Sequence, residues 1–373
     1  MQRREFLTLA GTAAAASFLC DTAIAQPAVP APVAEPGWRT FEVVTEVEMR
    51  PDAGASKLWL PMPLTQDTEY HRALSTTWSG NPDRVGIERE PRYGAAAFYA
   101  EWTDGKSLSE LKVTTRIMTR NRSVDLSASS RPHYASREEL LLYTAPTRHI
   151  PTDGIVAATS RKIVASDKGT AVERSRAIYE WIVENTYRDP KTLGCGSGDI
   201  VGMLESGKLG GKCADLNALF VGLARASGVP ARDIYGVRVA DSATWKSLGK
   251  SGDITRAQHC RAEFYDAALG WVPVDPADVR KVMLEEEKDR QIGFDDARVK
   301  LARERLFGSW EMNWMAFNMA GDTRLSPQTA LALGHFMYPY AETAGAGTLS
   351  SYSPDTFRYT IKSRELSASE LAS

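Results

Sequence analysis

The sequence is poor in cysteine and histidine, the residues that most often bind transition metals. Its 373 residues include four cysteines and five histidines, and no Cys-x-x-Cys or His-x-x-x-His pair suggests a zinc site. Long hydrophobic runs are also missing, because the apolar stretch near the N-terminus is shorter than the ~20 residues of a membrane-spanning helix. We therefore expect no metal or other cofactor and, once the N-terminal stretch is removed, a soluble protein with no membrane span.

A strong excess of charge of either sign is absent as well. The chain has 45 Lys and Arg against 47 Asp and Glu, a formal net charge of −2. Domains that bind nucleic acid typically carry a basic surplus, so this balance gives no argument for nucleic acid as a partner. With 43% hydrophobic and 25% charged residues, the chain has the composition of a folded globular protein, and its length favours two domains.

The chain begins with the pattern of an export signal. The pair Arg3-Arg4 precedes an uncharged, alanine-rich stretch, and Ala23-Ile24-Ala25 supplies a small-x-small cleavage site. The paired arginines, followed closely by Phe-Leu, resemble a twin-arginine signal, which carries folded cargo across a bacterial inner membrane. We expect residues 1–25 to be a signal peptide cleaved before Gln26, and the mature protein to be periplasmic or secreted.

Cysteine usage agrees with that compartment. Cys20 follows a leucine where bacterial lipoprotein signals resemble one another in having a small residue, so we expect cleavage rather than lipid attachment. The mature chain keeps Cys195, Cys213 and Cys260, an odd number, and at least one thiol should remain free. We expect Cys260 to be a core residue and Cys195 to be structural. The spacing leaves open whether these two form a disulfide.

Local patterns divide the rest of the chain. Residues 26–37 contain four prolines and no periodicity, which is typical of an extended linker. From residue 38 to about 130, apolar and polar residues alternate with period two, as in Phe41–Met49, and this predicts a small antiparallel β domain. Helical patterns follow, including a capping box of Thr170 and Glu173 at the start of a predicted helix.

Cys213 lies where another helix is predicted to begin. It follows the glycine-rich residues 206–211 and precedes apolar residues at helical spacing from Leu216 to Ala224, with Gly228 marking the end. At a helix start, free backbone amides and the positive end of the helix dipole favour a thiolate, and the Cys213 amide could bind an oxyanion. A buried structural cysteine is the alternative, but glycines beside the sulfur suit the close approach of a ligand.

Residues 259–265 and 271–275 are predicted to form the two arms of a β-hairpin. A three-residue turn gives these opposed pairs: Tyr265 and Leu269, Glu263 and Trp271, Arg261 and Pro273, His259 and Asp275. Opposed side chains have Cβ atoms about 4.5–5.5 Å apart, so a carboxylate could hold an imidazole nitrogen and fix its tautomer. A bulge near Gly270 would shift this register, so the pairing of His259 with Asp275 is conditional.

These segments together resemble the core of the transglutaminase-like superfamily, which shares a papain-like fold. The resemblance covers roughly residues 155–280 and rests on three motifs: Gly211-Lys212-Cys213-Ala214-Asp215, the helix end Leu223–Arg232, and the hairpin from His259 to Asp275-Pro276. It implies Cys213 as nucleophile, His259 as general base and acid, and Asp275 as the residue that orients the imidazole. Two positions depart from the common pattern, Lys212 before the cysteine and Cys260 after the histidine. No side-chain oxyanion donor is identified upstream of Cys213.

The resemblance also implies the architecture. We expect an α+β fold in which a papain-like transglutaminase core, residues 150–280, packs N-terminal helices on an antiparallel sheet. A small antiparallel β-sandwich domain, residues 38–130, would precede this core. Residues 281–373 would form a C-terminal extension that completes the sheet, with a helical stretch at Leu284–Arg305 followed by later strands at Trp310–Trp314 and Phe357–Ile361.

The implied activity is acyl transfer on a peptide or isopeptide amide through a Cys-His-Asp triad. Hydrolysis by a peptidase or amidase is the expected outcome, because the bacterial relatives that the chain resembles are usually regarded as cysteine proteases. A protein-cross-linking transglutaminase and a non-catalytic binding module on the same fold are the alternatives, since the triad does not select the acceptor. The expected partner is a protein or peptide substrate, and the oligomeric state is open.

Overall fold

The computed structural model describes residues 37–49, 54–103, 108–127, 135–164, 169–326, 329, 332–345, 347–352 and 357–371. The predicted signal peptide, residues 1–25, lies outside this range, as does the predicted linker up to residue 36. Within the described range, no helix is both long enough and apolar enough to cross a membrane.

Strands and helices follow one another in three stretches. The N-terminal stretch contains β1 (Trp38–Met49), β2 (Ser56–Pro61), β3 (His71–Gly80), β4 (Arg84–Arg89), β5 (Ala96–Trp102), β6 (Ser109–Arg120) and β7 (Arg122–Ser123). The middle stretch contains α1 (Arg137–Leu142), α2 (Gly154–Ile163), α3 (Ala171–Asn185), β8 (Tyr187–Arg188), α4 (Ile200–Ser206), β9 (Gly210–Gly211), α5 (Cys213–Ala226), β10 (Ala231–Arg238), β11 (Gly252–Asp253), β12 (Gln258–Asp266), β13 (Gly270–Val274), α6 (Pro276–Glu285) and α7 (Ala297–Arg305). The C-terminal stretch contains β14 (Ser309–Trp310), β15 (Trp314–Asn318), β16 (Gly321–Thr323), β17 (Leu333–His335), β18 (Tyr340–Thr343), β19 (Gly347–Leu349), β20 (Phe357–Leu366) and α8 (Ala368–Leu371).

Two five-stranded antiparallel sheets form a β-sandwich, as the alternating pattern predicts. Their spatial orders are β11-β20-β1-β6-β3 and β19-β18-β2-β5-β4. On β1 the apolar residues Phe41, Val43, Val47 and Met49 are buried, while Glu48 between the last two is exposed. Both sheets contribute apolar side chains to one core between them, which satisfies the inward-facing half of each alternating strand.

The sandwich needs strands from the far end of the chain. β20 pairs with β1 from Thr40 opposite Leu366 to Met49 opposite Phe357, and β18 pairs with β2. The prediction that Phe357–Ile361 joins the sheet of the catalytic core is therefore wrong. Without β20, the backbone donors and acceptors on one side of β1 would lack strand partners beside a buried apolar face, and pairing with β20 satisfies them.

The second layer system packs helices on a four-stranded antiparallel sheet of order β13-β12-β10-β15. Residues 213–225 of α5 are all buried, and the helix contacts α2, α3, α6, β10 and β12. The predicted end is confirmed: Gly228 adopts φ +82°, and the Val229 amide donates to the Ala224 carbonyl at 3.0 Å. This buried central helix fixes the position of the residue at its start.

Two further helix predictions have different outcomes. The capping box of Thr170 and Glu173 is present at the start of α3, as predicted. The stretch Leu284–Arg305 is not one helix, because α6 ends at Glu285 and α7 begins after its N-cap, Asp296, whose side chain accepts from the Arg298 amide. Between them Asp289 has φ +64°, a left-handed conformation that cannot continue a helix.

The core around α5 extends to one sheet of the sandwich. Phe41, Ile117 and Ile361 from the sheet that contains β1 belong to the same buried cluster as α5 and β12. The described residues from 37 to 371 belong to one compact unit. The limits that the sequence suggested for its regions, at 130, 150 and 280, remain predictions.

Candidate active site

Cys213 is the first residue of α5, as the sequence predicts. The next amide, that of Ala214, donates to the Cys195 carbonyl at 2.9 Å. No described acceptor takes a hydrogen bond from the Cys213 amide itself. One donor at the helix start is therefore available to a developing oxyanion beside the thiol.

The Asp215 side chain holds the backbone of two segments that precede the nucleophile in the chain. The Asp215 carboxylate accepts from the amides of Ser197 at 2.9 Å, Gly198 at 3.0 Å and Lys212 at 2.9 Å. It thereby ties the loop around Cys195 to the start of α5. Gly196 leaves room for this carboxylate, because a Cβ there would lie 1.9 Å from its Oδ2 atom.

The hairpin forms, but its register differs from the prediction by one residue on each arm. The observed pairs are Asp266 and Gly270, Tyr265 and Trp271, Glu263 and Pro273. The turn occupies residues 267–269 because the Asp266 carboxylate accepts from the Ala268 amide at 2.8 Å and Gly270 takes φ +75°. Shifting both arms together preserves the side-chain alternation, so His259 and Asp275 stay on one face as diagonal neighbours.

The structure brings His259 and Asp275 into direct contact. His259 Nε2 lies 2.7 Å from Asp275 Oδ2 and 3.3 Å from Asp278 Oδ2. The other Asp275 oxygen accepts from the Asn217 side-chain amide at 3.2 Å. Because Nε2 faces the carboxylates, Nδ1 is the ring nitrogen left for the Cys213 thiol, whose pKa His259 helps to lower.

Asp278 and Arg238 belong to this site but were not predicted. The Arg238 guanidinium donates to both Asp278 oxygens, at 2.6 and 2.9 Å, and all these groups are buried. A sequence signal did exist: Asp275 is the N-cap of α6, Pro276 follows at the first helical position, and the Asp278 amide donates to Asp275 Oδ1 at 3.1 Å. An N-cap aspartate thus brings a second acidic residue, three positions on, to the same imidazole.

The charges around His259 decide its protonation. Burial lowers the pKa of His259 and Arg238 acts in the same direction, but Asp278 and Asp275 outweigh both and raise this pKa to about 9. The pKa of Cys213 is lowered well below its ordinary value by hydrogen bonds from the Cys195 and Cys260 thiols and by His259, against the effect of burial. The arrangement favours a thiolate beside an imidazolium.

The two carboxylates have opposite pKa shifts. Burial raises the pKa of Asp275, and the neighbouring Asp278 adds to the rise. Burial also opposes ionisation of Asp278, but Arg238 and His259 hold the pKa of that carboxyl well below its ordinary range. Asp278 is therefore the fixed negative charge of the site, and Arg238 is what keeps it ionised.

Comparison with known proteins identifies the family. The family model of the transglutaminase-like superfamily matches residues 157–276, a range that includes Cys213, His259 and Asp275. A protein from Haemophilus influenzae strain Rd, named only as an uncharacterized protein, is 36% identical over 329 residues, 84% of this chain and 87% of its own length. The chain belongs to the transglutaminase-like superfamily.

One solved structure supports the fold of this transglutaminase-like protein. A structure named as a Putative Cysteine Protease from Cytophaga hutchinsonii superposes with a TM-score of 0.50 at 15% identity, covering 88% of this chain and 98% of its own. The periplasmic domain of TgpA from Pseudomonas aeruginosa is more distant, with a TM-score of 0.31 at 13% identity over 71% of this chain and 92% of its own. The α+β fold with a transglutaminase-like core and an N-terminal β-rich region is confirmed.

All three described cysteines of this transglutaminase-like protein are free and buried. Cys260 is a core residue, as predicted. Cys195, for which a structural role was predicted, lies beside Cys213, donates its thiol to the Gln258 carbonyl at 3.2 Å and accepts from the Tyr338 hydroxyl at 3.1 Å. No local pattern around Tyr338 signalled this contact, because 143 residues of chain separate it from Cys195.

One group of described side chains lies close enough to hold a metal ion. The candidate ligand atoms of His259, Asp275 and Asp278 all lie within 4.8 Å of one another. Both Asp278 oxygens already accept from Arg238, however, and the Asp275 oxygens face His259 and Asn217. A dication would have to displace the guanidinium, so this donor set fits an ion-pair network better than a metal centre.

Cys213 and His259 open into a cleft with a volume of about 1010 Å³. Tyr338 and Tyr352 lie on its wall, with ring centroids 5.4 Å apart. Trp310 and Trp314 do not line this cleft and are only 3% exposed. The pair packs in the core behind the site, where Trp314 Nε1 donates to the His259 carbonyl at 2.9 Å.

Proposed function

We propose that this protein is a cysteine peptidase or amidase that cleaves peptide or isopeptide amides, with Cys213 as nucleophile, His259 as base and acid, and Asp275 as the orienting carboxylate. The observation that carries the proposal is the buried Cys213–His259–Asp275 chain at the start of α5, facing a cleft. A thiolate, a proton donor for the leaving group and a free backbone amide are the three requirements of thiol acyl transfer.

The reaction would proceed in two halves. The Cys213 sulfur attacks the amide carbonyl, and the His259 imidazolium gives its Nδ1 proton to the departing amine, which leaves a thioester on Cys213. The neutral imidazole then takes a proton from water, and the resulting hydroxide attacks the thioester to release a carboxylic acid. The proton returns to the pair, so atoms and charge balance over the cycle.

Hydrolysis is favoured over cross-linking by the surroundings of the sulfur. Cys213 faces a cleft with many polar and charged residues in its lining, and we expect such a cleft to admit water to the thioester. A cross-linking enzyme must instead favour a bound amine over water at this step. The second candidate, a protein-cross-linking transglutaminase, uses the same three side chains and differs only in the acceptor.

The decisive experiment incubates the mature protein with a peptide library and a biotinylated primary amine, with products identified by mass spectrometry. New peptide termini without biotin support hydrolysis, whereas biotin on glutamine side chains supports cross-linking. Cys213→Ala should abolish either product. A wild-type protein that forms neither product, or a Cys213→Ala variant that forms the same products, contradicts the proposal and leaves the binding-module alternative.

A further inference from the structure

The cleft at Cys213 is far more basic than the protein as a whole. Its lining includes eight Lys or Arg side chains but, among the residues that the structure describes, a single acidic one, Asp253. The complete sequence has 45 basic and 47 acidic residues. The basic surplus of the cleft is therefore a local arrangement and does not follow from composition.

Most of these cations lack an internal partner. Arg238 is bound by Asp278, and Arg188 and Lys281 share Glu285. The remaining five form no ion pair with any described carboxylate: Lys191, Lys212, Lys250, Arg256 and Arg358. Five Lys and Arg side chains without an ion-pair partner are thus gathered in one cleft of a nearly neutral protein. The positive potential that they create suits an anionic ligand.

Lys212 is the closest of these cations to the reaction along the chain. Its amide is held by Asp215, which fixes the backbone immediately before the nucleophile, and its half-buried side chain lines the cleft. It is also one of the two positions at which the sequence departs from the common family pattern. Lys281 adds to the positive charge of the cleft. Burial and Arg238 lower the pKa of this amine to about 8, which means that they disfavour its charged form. A bound anion would stabilise that form.

We propose that the substrate is an acidic peptide, whose carboxylates flank the scissile amide and bind the cations of the cleft, with Lys212 next to the reacting bond and Arg256 and Arg358 further along. This inference rests on the proposed amide cleavage. A peptide is favoured over nucleic acid as the anion, because the nucleophile beside Lys212 acts on an amide.

Binding can be measured without turnover by using the Cys213→Ala protein. The probes are two fluorescein-labelled octapeptide pools that differ only in three fixed positions, Glu in one and Gln in the other. Exposed ion pairs are individually weak, but several acting together should make the Glu pool bind about tenfold more tightly at low salt. Screening should reduce that preference to about twofold at 0.5 M salt, where the Debye length is only a few ångströms.

Charge-reversal variants locate the effect. Arg256→Glu combined with Arg358→Glu should abolish the preference for the Glu pool, and Lys212→Glu should weaken it, while Lys212→Arg should retain it. Lys162→Glu is the matched control, because Lys162 is exposed on α2 and does not line the cleft. Thermal melting of each variant separates lost charge from lost folding.

The outcomes distinguish this inference from the proposed function. Equal affinity for the two pools at low salt, a preference unchanged by the cleft variants, or tighter binding of a thymidine oligonucleotide of equal charge would overturn the acidic-peptide inference. A wild-type protein that binds the Glu pool selectively but cleaves nothing in it would support a cleft that binds acidic peptides and would overturn the proposed cleavage instead.

Discussion

The reactivity of the candidate nucleophile depends on the charges set around it. Cys195 lines the same cleft as Cys213 and is equally buried, each with 4% of its surface exposed. The two differ in electrostatics: the hydrogen bond with the neighbouring Cys213 and burial raise the pKa of Cys195, whereas the pKa of Cys213 is lowered. Access alone therefore cannot explain a selective thiol here, whereas the hydrogen bonds from the Cys195 and Cys260 thiols, together with the imidazolium of His259, can.

The first prediction concerns alkylation. In the folded protein near neutral pH, Cys213 should react with iodoacetamide at least about tenfold faster than Cys195, because only Cys213 is held as a thiolate. Cys195 is the internal control for access and Cys260 the control for complete burial. Rates are read by mass spectrometry of the labelled peptides, and equal labelling of all three thiols would count against Cys213 as nucleophile.

A second prediction concerns Asp275→Asn. The amide can still cap α6, but it removes the negative charge beside His259, so turnover should fall by at least about a hundredfold while the melting temperature changes little. Asp296→Asn is the matched control, since Asp296 caps α7 and has no contact with the site. Full activity in Asp275→Asn would show that the pair is not coupled in catalysis.

The raised pKa of His259 predicts a pH dependence. With a folded pKa of about 9 against an ordinary 6.5, the protonated imidazole stabilises the fold fully below pH 6.5, and this contribution is lost as the pH rises through about 9. Because the imidazolium also protonates the leaving amine, kcat/KM should fall on the basic side near the same pH. In Asp275→Asn the basic limb should move to lower pH. A limb that stays in place would mean that another group titrates there.

The start of α5 and the loop before it act as one element. Asp215 reaches back from the first turn to three backbone amides, and glycines make room for its carboxylate. A helix N-terminus stabilises a nearby anion, and in α5 the Asp215 carboxylate is such an anion. The thiol is thus positioned by a loop and a helix locked together by a single buried side chain.

This predicts unequal effects for two glycine substitutions. Gly196→Ala introduces a Cβ 1.9 Å from the Asp215 carboxylate at φ +100°, so it should lower the free energy of unfolding by about 3 kcal/mol or more and slow alkylation of Cys213. Gly207→Ala, at φ +67° with no atom within 4 Å of the new Cβ, should cost only about 1 to 2 kcal/mol. Urea denaturation measures both. Equal costs would mean that Asp215 does not fix the loop.

For the molecule as a whole, the first and last described strands pair in one sheet. β20 lies between β1 and β11, so the C-terminal strand joins the sandwich to a segment that precedes the hairpin of the active site. The cleft takes lining residues from the same strand, including Arg358 and Tyr359. Truncation before residue 357 would therefore remove part of the cleft wall as well as a strand.

We also propose that the complete precursor is exported by the twin-arginine route, which requires folded cargo. Replacing Arg3 and Arg4 together by Lys should leave the precursor in the cytoplasm with residues 1–25 attached, because an ammonium does not reproduce the planar donors of the guanidinium. A general secretory signal needs only positive charge and would tolerate the change. Fractionation and N-terminal sequencing decide: mature protein beginning at Gln26 in the periplasm of the double-Lys strain would exclude this route.

Local signals account for much of the site. Glycines before Cys213 and helical spacing after it were enough to predict the start of α5, and period-two alternation was enough to predict β1 and the hairpin. The pairing of His259 with Asp275 survived a wrong register, because a shift of one residue on each arm keeps both side chains on the same face. Periodicity is a property of neighbouring residues, so it is readable without the fold.

The sequence by itself determined the helix and strand that carry Cys213 and His259 and the cap that carries Asp275, because spacing, glycines and capping residues act over a few positions. Only the tertiary structure decided that Arg238 neutralises Asp278, that Cys195 and Tyr338 meet beside the nucleophile, and that β20 returns to β1. Those contacts join residues 40 to more than 300 positions apart. Such contacts form because apolar surfaces must be buried and the hydrogen-bonding groups of strand edges must find partners across the whole molecule. A local sequence pattern does not encode these requirements.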